Sequence, residues 1–317
     1  SAFYEKNDIK FRQGRVTAID RLRQTITLSD GAELAYDKLA LCMGARVRRI
    51  ELPGCELKGV HYLRNIADVD GIQAELAQAK TAVIIGGGYI GLETAASLRK
   101  QGLQVVVLEM AERILQRVTA PELSAFYARV HGEEGVQIQT GVSITSILGD
   151  GRVEGVLCGN GAIFPADIVI VGVGVIANVE LAEAADIAVE NGIIVDEFCR
   201  TNDPSIVAAG DCANHFSKVY QRRIRLESVP NAGEQGKAAA GSMCGLSKEY
   251  KSLPWFWSDQ YDLKLQIAGL SQGYDQLVIR GDKETGRSFA AFYFQAGKLI
   301  AADCVNRPQE FMLSKRV

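Results

Sequence analysis

Apolar and polar residues alternate in short bursts at the start of the chain. Between Ile9 and Ala45 the segments DIKFRQGRVTAID, TITLSDGAELAY and KLALCMGAR are separated by Gly and Asp turns, which predicts a β-meander ending in a buried strand. LPGCELKGV then reads as a loop. From Ile66 to Ala79 the apolar spacing turns helical, with Ile66, Val69, Ile72 and Leu76 expected on one face. Ala82–Ile85 is a continuous apolar run suited to a strand covered on both faces, and Tyr89–Lys100 reads as a helix. A second strand, LQVVVLE, follows, then a helix from about Pro121. The turn and strand EEGVQIQTGVSITSIL and the hairpin GRVEGVLCGNGAIFPADIVIVGVGV complete the pattern of a βαβ unit, a β-meander crossover and a closing strand. Gly71 to Ile176 is therefore expected to form one nucleotide-binding domain. Beyond it, NGIIVDEFCRTNDPSIVAAGDCANH gives a strand, a turn, and an apolar strand ending at Gly210-Asp211.

Between the first strand and its helix lies Gly86-x-Gly88-x-x-Gly91, with Tyr89 and Ile90 opening the helix. The first glycine permits a tight turn and the second lets the backbone approach a pyrophosphate. The third lets helix and strand pack closely, with the helix N-terminus facing the negative charge. Such a motif alone could be a glycine-rich turn. Here a strand precedes it, a helix follows, and the second strand ends at Glu109, eighteen positions beyond Gly91. A carboxylate there accepts hydrogen bonds from ribose hydroxyls and repels a 2′-phosphate, so NAD is expected over NADP. Arg113 and Arg117, just downstream, are either placed to soften that repulsion or are solvated charges.

Composition narrows the function class. The 317 residues carry a net charge of −3, without the basic footprint of a nucleic-acid binder. No apolar run approaches the roughly 20 residues of a membrane span, and the N-terminus SAFYEKNDIKFR is too charged for a signal peptide, so a cytoplasmic location is expected. Seven cysteines with no CxxC pair and three histidines, His61, His131 and His215, with no second ligand nearby, predict no metal site.

Six segments in order, LCMGAR, GGGYIGLE, IVIVGVGV, TNDPSIVAAGDCANH, RLESVPNAGEQGKAAA and PWFWSDQYDLKLQIAGL, resemble the ferredoxin-reductase branch of the FAD-dependent pyridine nucleotide-disulfide oxidoreductases. The resemblance spans nearly the whole chain. It implies an α/β fold with two Rossmann-like nucleotide-binding domains, an FAD domain interrupted by an NAD domain, plus a C-terminal α+β domain. The boundaries expected are 1–70 and 177–251 for the FAD domain, 71–176 for the NAD domain and 252–317 for the C-terminal domain. The family's earlier GxGxxG, which grips the ADP half of FAD, has no counterpart here. The resemblance thus implies an FAD domain truncated at its N-terminus, with the flavin held weakly or not at all.

Residue by residue, the resemblance implies that Asp211, after Gly210, hydrogen-bonds the flavin ribityl chain; a turn Asp is the plainer alternative. Thr201 and Ala209 complete that motif. Glu227, Ser228, Val229 and Pro230 resemble the segment whose backbone approaches the flavin pyrimidine edge, beside a helix at Asn231 to Ala240. Trp255 and Trp257 resemble the branch's aromatic pair near the flavin, with core packing as the alternative. Glu93 would sit near the nicotinamide, or else complement the helix dipole. Gly172 and Gly174 of IVIVGVGV join the cofactor-binding set.

The activity implied is that of an NADH-dependent flavoprotein reductase passing electrons through FAD to a small iron–sulfur ferredoxin, with chemistry residing in FAD and NAD rather than in catalytic side chains. An NADH oxidase, a disulfide reductase, or a catalytically incomplete NAD-binding module are the alternatives.

Overall fold

A computed structural model describes residues 2–316. The chain forms two compact units, Ser1–Ala45 with Ala177–Ser252, and Arg46–Ile176 with Leu253–Val317.

In the first unit, strands Val16–Asp20, Thr25–Leu28 and Glu33–Ala35 make the expected antiparallel meander. Leu39–Leu41 leaves it to pair in parallel with Ile206–Ala208, Ala40 opposite Val207. That second strand is apolar throughout because both its faces are covered. Ile206 and Ala208 join a core with Leu41, Ile193 and Ala213, whereas Val207 packs with Ala238 and Ala239 of the helix Val229–Met243. Ala213–Ser217 lies between Ile193–Val195, parallel, and Arg222–Arg225, antiparallel.

The second unit is built on a five-stranded parallel sheet in the order Val60–Tyr62, Ile168–Val171, Thr81–Ile85, Gln104–Leu108, Val136–Gln139. The central strand Thr81–Ile85 divides its side chains by the two-residue period. Ala82 and Ile84 face the helices Tyr89–Lys100 and Pro121–Glu133 through Leu92, Ala95 and Leu123. Val83 and Ile85 face Val153, Val156 and Cys158, beneath the antiparallel strands Ile144–Leu148, Gly155–Cys158 and Ile163–Pro165. Helices thus cover one face and a β-meander the other. This explains an apolar run in which no residue can be polar.

The helix expected over Ile66–Ala79 runs Ile66–Leu76, opened by a capping box in which Asn65 and Asp68 each bond the other's backbone N–H. Its expected apolar face is only half used. Ile72 is buried and Leu76 packs on the core, but Ile66 is 79% exposed and Val69 is also exposed. The helix lies along the three-residue edge strand Val60–Tyr62, which is too short to cover the first turn. The boundary expected between residues 70 and 71 falls inside this helix, and the sheet already includes Val60–Tyr62.

The rest of the second unit is a five-stranded antiparallel sheet in the order Trp255–Gln260, Leu263–Gly269, Lys298–Val305, Ser288–Gln295, Gln276–Asp282, followed by the helix Pro308–Ser314. Phe289, Ala291 and Tyr293 share the helix-side core, with Phe126 edge-on to Phe289 at 4.8 Å. Ala290, Ala302 and Cys304 turn to the other face and meet Phe311.

Candidate functional site

The glycine turn of the second unit assigns each glycine a measurable constraint. Gly86 has φ +113°, and a Cβ there would lie 2.4 Å from the Gly172 carbonyl oxygen. A Cβ on Gly91 would lie 2.1 Å from the Gly86 oxygen, so helix and strand could not approach. Gly88, the N-cap of Tyr89–Lys100, has φ −79° and open space around it. Nothing in the protein itself demands glycine at that position, which is what a backbone kept clear for a phosphate requires. Gly87, which the spacing motif leaves unspecified, is buried, and a Cβ there would meet Ile114 Cγ2 at 2.7 Å. The first turn of the helix carries no acidic residue and no side-chain cap, and Arg99 and Lys100 occupy its last turn. Its N-terminal amides and dipole therefore present a positive end to the turn.

Glu109 holds this turn from the side. Its Oε2 accepts the Gly87 N–H at 2.7 Å and its Oε1 accepts the Ala111 N–H at 2.7 Å. Leu115 N–H donates to the Gly87 oxygen at 2.9 Å, tying the same turn to the loop after the second strand. A carboxylate has about four acceptor sites, so two such bonds leave capacity for ribose hydroxyls. Arg113 is committed internally, to the Thr119 and Gln116 carbonyls and to Ser124 Oγ.

Tyr89 stands edge-on to Phe256 at 5.2 Å, and burial together with Asp303 holds its phenol well above the usual tyrosine range. Ile90 beside it is half exposed. Gly172 N–H donates to the Ile85 oxygen, and Gly174, at φ +96°, stands in open space with its carbonyl bound to Arg48 N–H.

Glu93 is the fifth residue of its helix, beyond the first turn, so it does not complement the dipole. Its Oε1 instead accepts the Ser258 hydroxyl at 2.5 Å, and burial raises its pKa while Ser258 opposes the rise. Trp255 and Trp257 lie 5.9 Å apart on the same strand, and Trp257 is 46% exposed. Trp255 packs with Phe311, as a core residue does.

In the first unit, Gly210 has φ +83° and is buried at the end of Ile206–Ala208. Its N–H donates to Gln235 Oε1 at 2.8 Å. Burial and Arg223 push His215 down to about 4, and its ring Nδ1 accepts Gln235 Nε2 at 3.2 Å. Arg225 donates to the Asp211 carbonyl at 3.0 Å and pairs with Glu227 at 2.8 Å, so one guanidinium ties together the two segments expected at the flavin. Ser228 is the N-cap of the helix Val229–Met243, which starts earlier than the Asn231 expected, and its opening turn begins with the exposed Val229 and the half-buried Pro230. Thr201 bonds the Ile206 carbonyl and shapes the preceding turn. This first turn, with no acidic residue, and the side-chain-free Gly210 beside Asp211 suit the ribityl chain and polar ring edge of a flavin.

Sequence reasoning missed Gln235 and Ser258. Gln235 had a signal: with Asn231, Ala238 and Ala239 it falls on the buried stripe of its helix, where a polar side chain needs a partner.

The sequence profile of the pyridine nucleotide-disulphide oxidoreductases matches residues 3–236, and that of the reductase C-terminal domain matches residues 255–317. The chain belongs to this family. Within it, the ferredoxin reductases are its near relatives. Putidaredoxin reductase CamA of Pseudomonas putida is 44% identical over 321 residues, covering 99% of this chain and 76% of that protein. The crystal structure of the ferredoxin reductase for the CYP199A2 system of Rhodopseudomonas palustris superimposes with a TM-score of 0.97 at 42% identity, over 100% of this chain and 78% of that one. The putidaredoxin reductase chain in a covalent complex with putidaredoxin gives 0.96 at 44% identity, over 99% and 77%. The family reductases use FAD and NAD(H), and the α/β fold with its sheet-rich C-terminal part is theirs. Among the described residues no helix is long and apolar enough to cross a membrane.

Proposed function

We propose that the protein passes reducing equivalents from NADH through FAD to a small ferredoxin-type iron–sulfur protein. The observation that carries this reading is the open glycine turn at Gly88, braced by Glu109, in a chain of the ferredoxin-reductase branch. FAD, when bound, takes a hydride from NADH and releases electrons one at a time. The residues bind and orient. Gly86, Gly88, Tyr89, Ile90 and Gly91 receive the pyrophosphate of NADH at the helix N-terminus, Glu109 takes the adenosine ribose, and Gly172 and Gly174 keep backbone clear nearby. Glu93 faces the nicotinamide. Gly210, Asp211 and the 227–230 segment are assigned to FAD.

The unit Arg46–Ile176 with Leu253–Val317 is assigned the dinucleotide substrate, and the unit Ser1–Ala45 with Ala177–Ser252 the flavin. We place the reaction in the cytoplasm, where NADH is supplied. Anaerobic titration of the FAD-loaded protein tests the reading: one equivalent of NADH should bleach the flavin band, and NADPH should do so only at much higher concentration. A flavin that stays oxidised in excess NADH would refute it.

A further inference from the structure

We infer that Ser258, Gln260 and His131 are positioning residues for Glu93, linked in a one-way chain of hydrogen bonds that ends on one oxygen of its carboxylate. The inference rests on the reading that Glu93 serves the nicotinamide.

The donor roles fix one another. Ser258 donates to Glu93 Oε1 at 2.5 Å, so its oxygen is left to accept, and Gln260 Nε2 donates to it at 3.0 Å. That orientation turns Gln260 Oε1 to His131 Nε2 at 2.8 Å, and an amide oxygen only accepts, so His131 carries its proton on Nε2. The bare Nδ1 is then an acceptor for the Tyr261 hydroxyl at 3.2 Å. Burial lowers the proton affinity of His131 and keeps the ring neutral, although Gln260 and Glu134 oppose this. From Tyr261 to Glu93 every O–H and N–H points the same way.

The placement has a cost that a merely structural role would not need. Ser258, Gln260 and His131 are all at most 1% exposed, in the unit whose buried core includes Phe126, Val130, Leu263 and Phe289. Replacing both partners of a buried hydrogen bond by apolar groups of the same shape is nearly neutral for stability, so packing alone does not call for three linked polar side chains here. Their aligned dipoles place positive ends toward Glu93, which favours the ionised carboxylate against burial and against the neighbouring Asp259. With Oε1 held, the side chain keeps one rotamer and Oε2 remains for a donor on the substrate side.

The test uses the FAD-loaded protein and, separately, side-chain 15N NMR of the protein without NADH. Ser258→Ala should slow flavin reduction by NADH about tenfold, the size expected for loss of one charge-assisted hydrogen bond, with the NADH dissociation constant unchanged within about twofold. Tyr261→Phe, at the half-exposed far end and safe for folding, should slow it by less. The NMR spectrum should show His131 as the neutral Nε2–H tautomer, and Glu93→Ala should shift its 15N resonances. If Glu93→Ala slows reduction while both Ser258→Ala and Tyr261→Phe match the parent, or if His131 is the Nδ1–H tautomer or protonated, the inference is overturned. If Glu93→Ala itself leaves reduction unchanged, the nicotinamide reading of Glu93 fails instead.

Discussion

Glu109 and Gly87 are joined by a 2.7 Å hydrogen bond in which the carboxylate at the end of one strand receives the backbone N–H of the glycine turn beyond its neighbour. The same acid therefore shapes the turn in which we propose it also receives the ribose. Glu109→Ala should cost about 1–3 kcal/mol of stability, because the part-buried Gly87 and Ala111 amides lose their acceptor. It should also weaken NADH roughly tenfold or more and narrow the gap between NADH and NADPH. Urea unfolding and fluorescence titration with both nucleotides measure the two effects. A variant with parent stability and altered nucleotide preference would show that the brace is incidental.

The glycines should separate folding from binding. Gly91→Ala places a Cβ 2.1 Å from the Gly86 oxygen and should prevent a stable fold. Gly88→Ala meets no protein atom and has an ordinary φ, so it should fold within about 1 kcal/mol of the parent while losing NADH binding. Circular dichroism melts beside NADH titration decide this; a Gly88→Ala protein that binds NADH normally would mean the pyrophosphate lies elsewhere.

Buried Asp303 predicts a pH dependence. Burial pushes its carboxyl up from 3.8 to about 6, although Tyr293 and Thr119 donate to it at 2.6 and 2.7 Å. Its folded pKa lies above its unfolded one, so the folded state holds the proton more tightly. This contribution is greatest below about pH 4 and is lost as pH rises to about 6 and beyond, by roughly 3 kcal/mol at most for that gap. Asp303→Asn should flatten this part of the stability profile and gain most above pH 7. Urea unfolding of both proteins at pH 4.5 and pH 8 checks it, and parallel profiles would contradict it.

Gln235 should matter to the proposed flavin site through the turn it holds. Gln235→Leu leaves the buried Gly210 N–H without its acceptor, at a cost of about 1–3 kcal/mol, and loosens the turn that carries Asp211. The FAD dissociation constant, read from quenching of flavin fluorescence, should rise in the variant; a value equal to the parent's would show that the turn is held by its strand alone.

Much of this arrangement was legible in the sequence, for identifiable reasons. The helix Tyr89–Lys100 was bounded correctly, and the strand before it to within one residue, because a glycine turn and an all-apolar run are local signals. The helix at Pro121 was likewise marked by its proline. The helical period over Ile66–Leu76 was real, yet period alone cannot say how much neighbouring strand is available, and Ile66 is left in solvent. Ser258 and Glu93 meet across a sequence separation of 165 residues, and a serine between Trp257 and Asp259 gives no hint of it. Glu109 was legible as an acid at a strand end, but its bond to Gly87 was not, because backbone partners leave no trace in side-chain identity.

The proposed acceptor is a small iron–sulfur protein, and acceptor choice under steady NADH tests this most directly. The FAD-loaded protein should reduce a small [2Fe–2S] ferredoxin, followed by its visible absorbance, faster than it reduces oxidised glutathione, lipoamide or dioxygen. Faster turnover of a disulfide or of dioxygen than of every ferredoxin tried would contradict the account.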